Sequence, residues 1–142
     1  MPETLDRTPS PTGQSHRWLL RSPHSPGVAR STLREFLRSV QDGERFTENA
    51  ELVVSELVTN ALVHATRPGK RIKLGLEADG EVLLIWVEDS SPNAPQPRLC
   101  TEGESGRGLL LVEALSLKWG WGPREGISKR VWSCIEPGPV VS

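Results

Sequence analysis

The sequence predicts an α+β fold, a two-layer sandwich in which helices cover one face of a mixed, mostly antiparallel sheet. Three observations lead to this prediction: helical patterns come early in the chain, strand patterns dominate later, and the strands follow one another as hairpins. With 142 residues, the chain can bury one hydrophobic core and is too short for two ordinary ones. We therefore expect a single domain.

The domain boundaries follow from composition. Residues 1–15 contain three prolines and mostly small polar residues, with Leu5 as the large aliphatic, so we expect a disordered tail there. The folding patterns run through residues 16–136 and leave residues 137–142 as a short C-terminal tail.

Two helices are predicted in the first half of the chain. After a possible first strand at residues 16–22, Ser25 supplies an N-cap and Pro26 a first-turn residue; apolar side chains then recur every three or four positions as far as Val40. The second helix is predicted from near Thr47 to about residue 65.

The second half of the chain carries the strand patterns. They predict a hairpin that turns at Asp79-Gly80, a short helix, and a second hairpin. The predicted ranges are strands at 72–76 and 82–87, a long loop at 90–107 that could act as a lid, a helix at 109–115, and strands at 117–121 and 127–135. All five tryptophans, Trp18 on the first strand and four on the later ones, fall on predicted strands, where we expect them to pack under the helices.

Charge and composition argue against several classes of function. There are 17 Lys and Arg against 18 Asp and Glu, so no basic surface for nucleic acid is expected. Cys100 and Cys134 lie far apart and lack the spacing of a zinc site, so we expect ordinary reduced thiols. No apolar run approaches the roughly 20 residues of a membrane span, and a cytoplasmic location is expected.

The second predicted helix carries an unusual polar stripe. Glu56, Asn60 and His64 follow one another at i, i+4 spacing on a helix that is otherwise mostly apolar or small. The stripe suggests that these side chains line a cleft. A mostly buried helix whose polar groups satisfy neighbouring backbone is an equally good interpretation from this helix alone, and a packed histidine is the preferred one for His64.

Two further features lie later in the chain. Asp89 ends the most apolar strand, where its carboxylate could bind a ligand or merely cap a turn. The run from Gly103 to Gly108 directly precedes a predicted helix, and glycines with free helix N-terminal amides suit a phosphate, although they also occur as plain connectors.

In combination, these features resemble a known superfamily. A helical Glu-x-x-x-Asn, an Asp after a buried strand and a Gly-rich segment ending in GRGL are similar to the N, G1 and G2 boxes of the GHKL ATPases. SELVTNALVHA, VEDSSP and SGRGLLLVEALSLKWGW look like the short anti-sigma regulatory factors of actinobacteria, which are serine protein kinases. The resemblance covers residues 16–135 and implies the Bergerat-type ATP-binding fold.

The resemblance also implies roles for particular residues. Asn60 would hold Mg²⁺ against the phosphates of ATP, Glu56 would act as the general base, and Asp89 would bind the adenine amino group. Gly106, Arg107, Gly108 and Leu109 would contribute to the phosphate site at the start of their helix.

The resemblance further implies partners: a sigma factor, an antagonist protein that receives the phosphate on serine, and, by family precedent, a second copy of the chain. A non-catalytic ATP-binding sensor is the alternative, because the chain departs from the family twice. Residues 90–93 replace the glycines that usually follow the aspartate, and Arg130 stands where the family often has a threonine that supports the adenine contact. A detached histidine-kinase catalytic domain is disfavoured, because no helix with a phospho-accepting histidine precedes the fold.

Overall fold

The structure of the protein, a computed structural model, describes residues 13–64, 71–79, 81–89, 105–124 and 128–138. Three α-helices and five strands are present in these ranges. In chain order they are β1 (Gln14–Leu19), α1 (Ser25–Arg38), a 3₁₀ turn (Gly43–Phe46), α2 (Thr47–His64), β2 (Ile72–Ala78), β3 (Leu83–Asp89), α3 (Ser105–Leu115), β4 (Lys118–Arg124) and β5 (Ser128–Ile135). Among the described helices, none combines the length and the apolar character that crossing a membrane requires.

The strands form one sheet in the order β1-β2-β3-β5-β4, and each of the four pairings is antiparallel. The predicted α+β sandwich is confirmed, with a sheet that is antiparallel at every described pairing rather than mixed. The centre of the sheet is β3, which pairs with β2 and β5. The chain therefore leaves the sheet after β3, forms α3 and the edge strand β4, and returns as β5 beside β3.

One face of the sheet packs against the helices. Successive strand residues point to opposite faces, so every second residue of β2, β3 and β5 belongs to this inner face. Leu74 pairs with Val87 and Leu76 with Ile85, and all four are buried in the core with residues of α1 and α2. The core therefore lies between the inner face and the helices.

The opposite, outer face of the sheet carries aromatic side chains that the sequence analysis had assigned to the helix side. Trp86 pairs with Gly75 on one side and with Trp132 on the other, and Trp132 pairs with Gly120. A Cβ atom on Gly75 would lie only 2.0 Å from Trp86 Cε2, so the indole ring covers this glycine closely.

The prediction for the tryptophans is therefore wrong for the outer face. Trp86 is covered there by neighbouring side chains rather than by helices, and Trp18 is 56% exposed. Of the two tryptophans on β4, Trp119 does pack against the core. Aromatic residues favour strands on either face, so strand propensity alone could not assign the face.

Helix α1 begins and ends at slightly different residues than predicted. The N-cap position is His24, and Ser25 is the first helical residue, whose hydroxyl donates to the Leu20 carbonyl. The helix ends at Arg38, after which the Ser39 and Val40 amides donate to carbonyls three residues back, and the left-handed Asp42 (φ 59°) then leads the chain into the 3₁₀ segment. Val40 remains buried although it lies beyond the helix, which is why its periodicity resembled another helical turn.

Candidate functional site

Helix α2 places the predicted polar stripe at the border of its buried face. Glu56 and Asn60 are half-buried. On one side of them lie the exposed residues Leu52 and Val63, with 46% and 52% exposure. On the other side lies the buried face, which packs on the sheet and on α3 and consists of Ala50, Val53, Val54, Leu57, Val58 and Ala61. A border position lets a side chain line a cleft beside the core.

The third residue of the stripe, His64, ends α2. Its side chain lies outside the described residues, as do residues 90–104, which include the predicted lid and the segment that replaces the family's glycines. Cys100 lies in the same segment.

Asp89 is the last residue of β3 and belongs to the inner face, two positions after Val87. It is 4% exposed. Both carboxylate oxygens accept hydrogen bonds from the ammonium of Lys129, at 3.1 and 3.2 Å. The structure thus places the predicted ligand-binding carboxylate at the C-terminal end of the central strand β3, on the inner face of the sheet, against which α2 packs.

Lys129 is as buried as its partner and was not among the residues predicted from the sequence. The two strands pair in register, with Asp89 opposite Lys129, so that both side chains leave the sheet on the same face. A signal was available: Lys129 alternates with the inward-facing residues Val131, Ser133 and Ile135. Because a lysine in such a series is almost never buried without a partner, the pattern could have suggested a buried ion pair.

Arg130 lies on the outer face, away from Asp89. Its guanidinium forms an ion pair with Glu88 and lies 3.9 Å from the ring centroid of Trp86. Residues next to each other on a strand point to opposite faces, so the Arg130 side chain, which stands in place of the family's threonine, lies on the face opposite Asp89. The residue of β5 that does lie beside Asp89 is Lys129.

Helix α3 begins at Ser105, four residues before the predicted start at Leu109. Gly106, Arg107 and Gly108 therefore lie within its first turn instead of preceding it. The first amides of a helix have no partner within the helix and can bind an anion, so this position suits a phosphate.

The rest of α3 is fixed to the core. Leu109 and Val112 are buried, and the helix packs against α2. At its C-terminal end, the hydroxyl of Ser116 lies 2.6 Å from that of Ser133 on β5, which is completely buried. Leu109 thus serves as a core contact, and α3 packs against the helix that carries Glu56 and Asn60.

These groups fit a nucleotide with a magnesium ion. The amide oxygen of Asn60 is a ligand type that Mg²⁺ accepts, and a magnesium ion in such sites takes its other ligands from water and phosphate. The carboxylate of Asp89 is the type of acceptor that an exocyclic amino group requires. Within the described ranges, no three His, Cys, Asp or Glu side chains cluster as a metal site.

Comparison with known families identifies the domain. The model of the histidine kinase-like ATPase domain matches residues 21–125, which extend from the turn before α1 to the end of β4. The chain belongs to this family. Membership confirms the resemblance to the GHKL ATPases and implies ATP binding. The matched part of the ATPase domain includes Glu56, Asn60 and Asp89, whereas Lys129 lies beyond it.

A solved structure has the same fold. The crystal structure of the RsbU and RsbW domains of Rv1364c from Mycobacterium tuberculosis superposes with a TM-score of 0.62, at 19% sequence identity. The alignment covers 91% of this ATPase domain chain and 34% of the Mycobacterium tuberculosis chain, so the present chain spans about a third of that protein's length. A search of curated proteins gives no match.

Proposed function

We propose that the protein is an ATP-binding regulatory protein kinase of the anti-sigma-factor type, which transfers the γ-phosphate of ATP to a serine of an antagonist protein. The observation that carries the proposal is the placement of Asp89. A buried carboxylate at the C-terminal end of the central strand, on the face against which the helix with half-buried Glu56 and Asn60 packs, supports a site that binds adenine and phosphates on one face of the sheet.

Each residue has a distinct task in this proposal. Asp89 accepts a hydrogen bond from the adenine amino group, and Asn60 binds the magnesium ion through its amide oxygen. The ion, when bound, neutralises charge on the phosphates. The first turn of α3 donates amide hydrogens to the phosphates. Glu56 lies one helical turn before Asn60 and accepts the proton of the attacking serine hydroxyl.

The proposed partners follow from the family resemblance and from the similar fold. The Mycobacterium tuberculosis structure contains a domain named RsbW, and the fold of the present chain is similar to part of that protein. We propose as protein partners a sigma factor, an antagonist of the anti-sigma factor, or both, with transfer of the phosphate to the antagonist as the reaction.

The test separates binding from chemistry at Glu56. Glu56→Gln keeps the size of the side chain and removes the base, so we expect ATP affinity within a few fold of the parent and phosphate transfer slower by roughly a hundredfold or more. Affinity is measured by calorimetry with Mg²⁺-ATP, and transfer by incubation with labelled ATP and candidate antagonist proteins.

Glu48→Gln is the matched control, since Glu48 is an exposed glutamate in the first turn of the same helix. It should change neither quantity. If Glu56→Gln transferred phosphate as fast as the parent, Glu56 would not be the base. If the parent bound ATP and transferred phosphate to no partner, the protein would be the non-catalytic ATP sensor.

A further inference from the structure

The ion pair between Asp89 and Lys129 is buried almost completely. Their side chains are 3% and 2% exposed, respectively. Removing two charges from water costs several kcal/mol for each ion, and a buried pair of this kind often contributes little net stability compared with apolar residues of the same volume. A lysine at this position is therefore poorly explained by stability alone, and its place beside the proposed adenine-binding carboxylate suggests a role in binding.

We propose that Lys129 is a second base-binding residue: its ammonium donates a hydrogen bond to ring nitrogen N1 of adenine while Asp89 accepts one from the amino group on carbon 6. This inference rests on the proposed function, because it assumes that the site binds a nucleotide. Together, Lys129 and Asp89 would select a purine that has an acceptor at N1 and a donor at position 6.

The hydrogen-bonding capacity of the two groups allows this arrangement. An ammonium has three donors, and Asp89 supplies acceptors for two of them within the described part of the chain. A carboxylate accepts up to about four hydrogen bonds, so Asp89 can bind Lys129 and the base amino group together. The pair thus presents an acceptor next to a donor. Adenine presents the complement on adjacent atoms, a donor at its amino group and an acceptor at N1.

The alternative is that the base displaces Lys129 from Asp89. Displacement would leave an ammonium that is now 2% exposed inside the protein without its partner. Leaving one member of a buried pair unpaired is strongly destabilising, whereas keeping the pair and adding the base leaves every charge paired. Nucleotide binding with the pair intact is therefore the lower-energy arrangement.

The proposal also predicts discrimination between purines. Hypoxanthine has an oxygen acceptor at position 6 and a hydrogen on N1, which is the reverse of adenine. In the same orientation, its oxygen would face the carboxylate and its N1 hydrogen would face the ammonium. Both contacts are unfavourable, because buried polar groups that meet the wrong partner lose their hydrogen bonds. Adenine nucleotides should therefore bind much more tightly than inosine nucleotides.

The experiment compares Mg²⁺-ADP with Mg²⁺-1-deaza-ADP, in which N1 is replaced by a CH group. Calorimetry is performed on the full chain of the parent, of Lys129→Met and of Lys118→Met, an exposed lysine that serves as the control. We expect the parent and Lys118→Met to bind ADP about tenfold or more tightly than 1-deaza-ADP. Lys129→Met should bind both ligands weakly and equally, because without the lysine neither ligand can form the hydrogen bond at position 1 of the base.

A second measurement on the parent protein does not depend on the folding of a variant. In a sample with ¹⁵N-labelled lysine, ADP should shift the side-chain nitrogen signal of Lys129, and 1-deaza-ADP should leave it near its ligand-free position. Equal shifts with both ligands would contradict a bond to N1.

The outcomes distinguish this inference from the proposed function. If the parent bound no adenine nucleotide, the proposed function and the role of Lys129 would both be wrong. If the parent bound ADP and Lys129→Met bound it equally or more tightly, only the role of Lys129 would be wrong, and tighter binding would show that the lysine competes with the base for Asp89. Retained preference for ADP over 1-deaza-ADP in Lys129→Met would also overturn the inference.

Discussion

Replacing Asp89 with alanine should destabilise the fold far more than replacing the neighbouring Glu88. Both carboxylates end β3 and both pair with a cation of β5, but on opposite faces of the sheet. Asp89→Ala leaves the Lys129 ammonium in the core without a partner. The Arg130 side chain is already 28% exposed and lies over Trp86, so in Glu88→Ala it can remain in contact with water and with the indole ring.

The magnitudes follow from the two environments. Breaking a buried ion pair by removing one partner costs about 3–5 kcal/mol, whereas a partly exposed pair contributes about 1 kcal/mol or less. With a urea m-value of about 1.5–2 kcal/mol/M for a domain of this size, Asp89→Ala should lower the unfolding midpoint by about 1.5–3 M. Glu88→Ala should lower it by about 0.5 M or less.

Urea unfolding followed by circular dichroism measures both shifts without nucleotide. A double variant, Asp89→Val with Lys129→Met, removes both charges and should regain most of the stability lost in Asp89→Ala, because no unpaired ion remains. Equal losses for Asp89→Ala and Glu88→Ala would refute the reasoning. A double variant no more stable than Asp89→Ala would show that the loss came from packing and not from an unpaired charge.

Two further predictions concern the outer face. Gly75→Ala places a Cβ where Trp86 now lies and should cost about 1–3 kcal/mol in thermal unfolding, with a changed tryptophan emission; Gly122→Ala, whose Cβ would meet nothing within 4 Å, should change neither. Burial raises the pKa of the Cys134 thiol. In a Cys100→Ser background, iodoacetamide should therefore alkylate Cys134 more slowly than glutathione at pH 7.5, with a rate that still rises above about pH 9; a rate equal to that of glutathione would contradict the burial.

The elements that rest on local patterns could be predicted from the sequence. Helix α2 and the hairpin of β2 and β3 were predicted because apolar spacing and turn residues act over a few positions. In the hairpin, the Asp79 carboxylate accepts hydrogen bonds from the Glu81 and Val82 amides, which is the turn chemistry that the sequence indicated. Boundaries were less accurate, since the end of α1 depends on a left-handed residue and on tertiary contacts.

The environment of the candidate site could be predicted only in part. Glu56, Asn60 and Asp89 were selected by a motif, and their placement on α2 and β3 agrees with it. Lys129 could not be assigned because its partner is forty positions away in the sequence, and the strands that bring the two together, β3 and β5, are not consecutive in the chain. From the sequence, Arg130 drew attention only as a departure from the family pattern, and the residue next to it was not considered.

The hydrogen bonds from Lys129 to Asp89 join residues that are forty positions apart in the chain. The chain between them includes α3 and β4 and connects two neighbouring strands of the sheet, β3 and β5. The ion pair links the two ends of this connection. Since the entropy of closing a loop grows by only about 0.6 kcal/mol for each doubling of its length, insertions or deletions in the connections between these elements, outside α3 and β4 themselves, should cost little while the ion pair holds β3 beside β5. A change in the length of these connections should therefore leave the register between β3 and β5 unchanged.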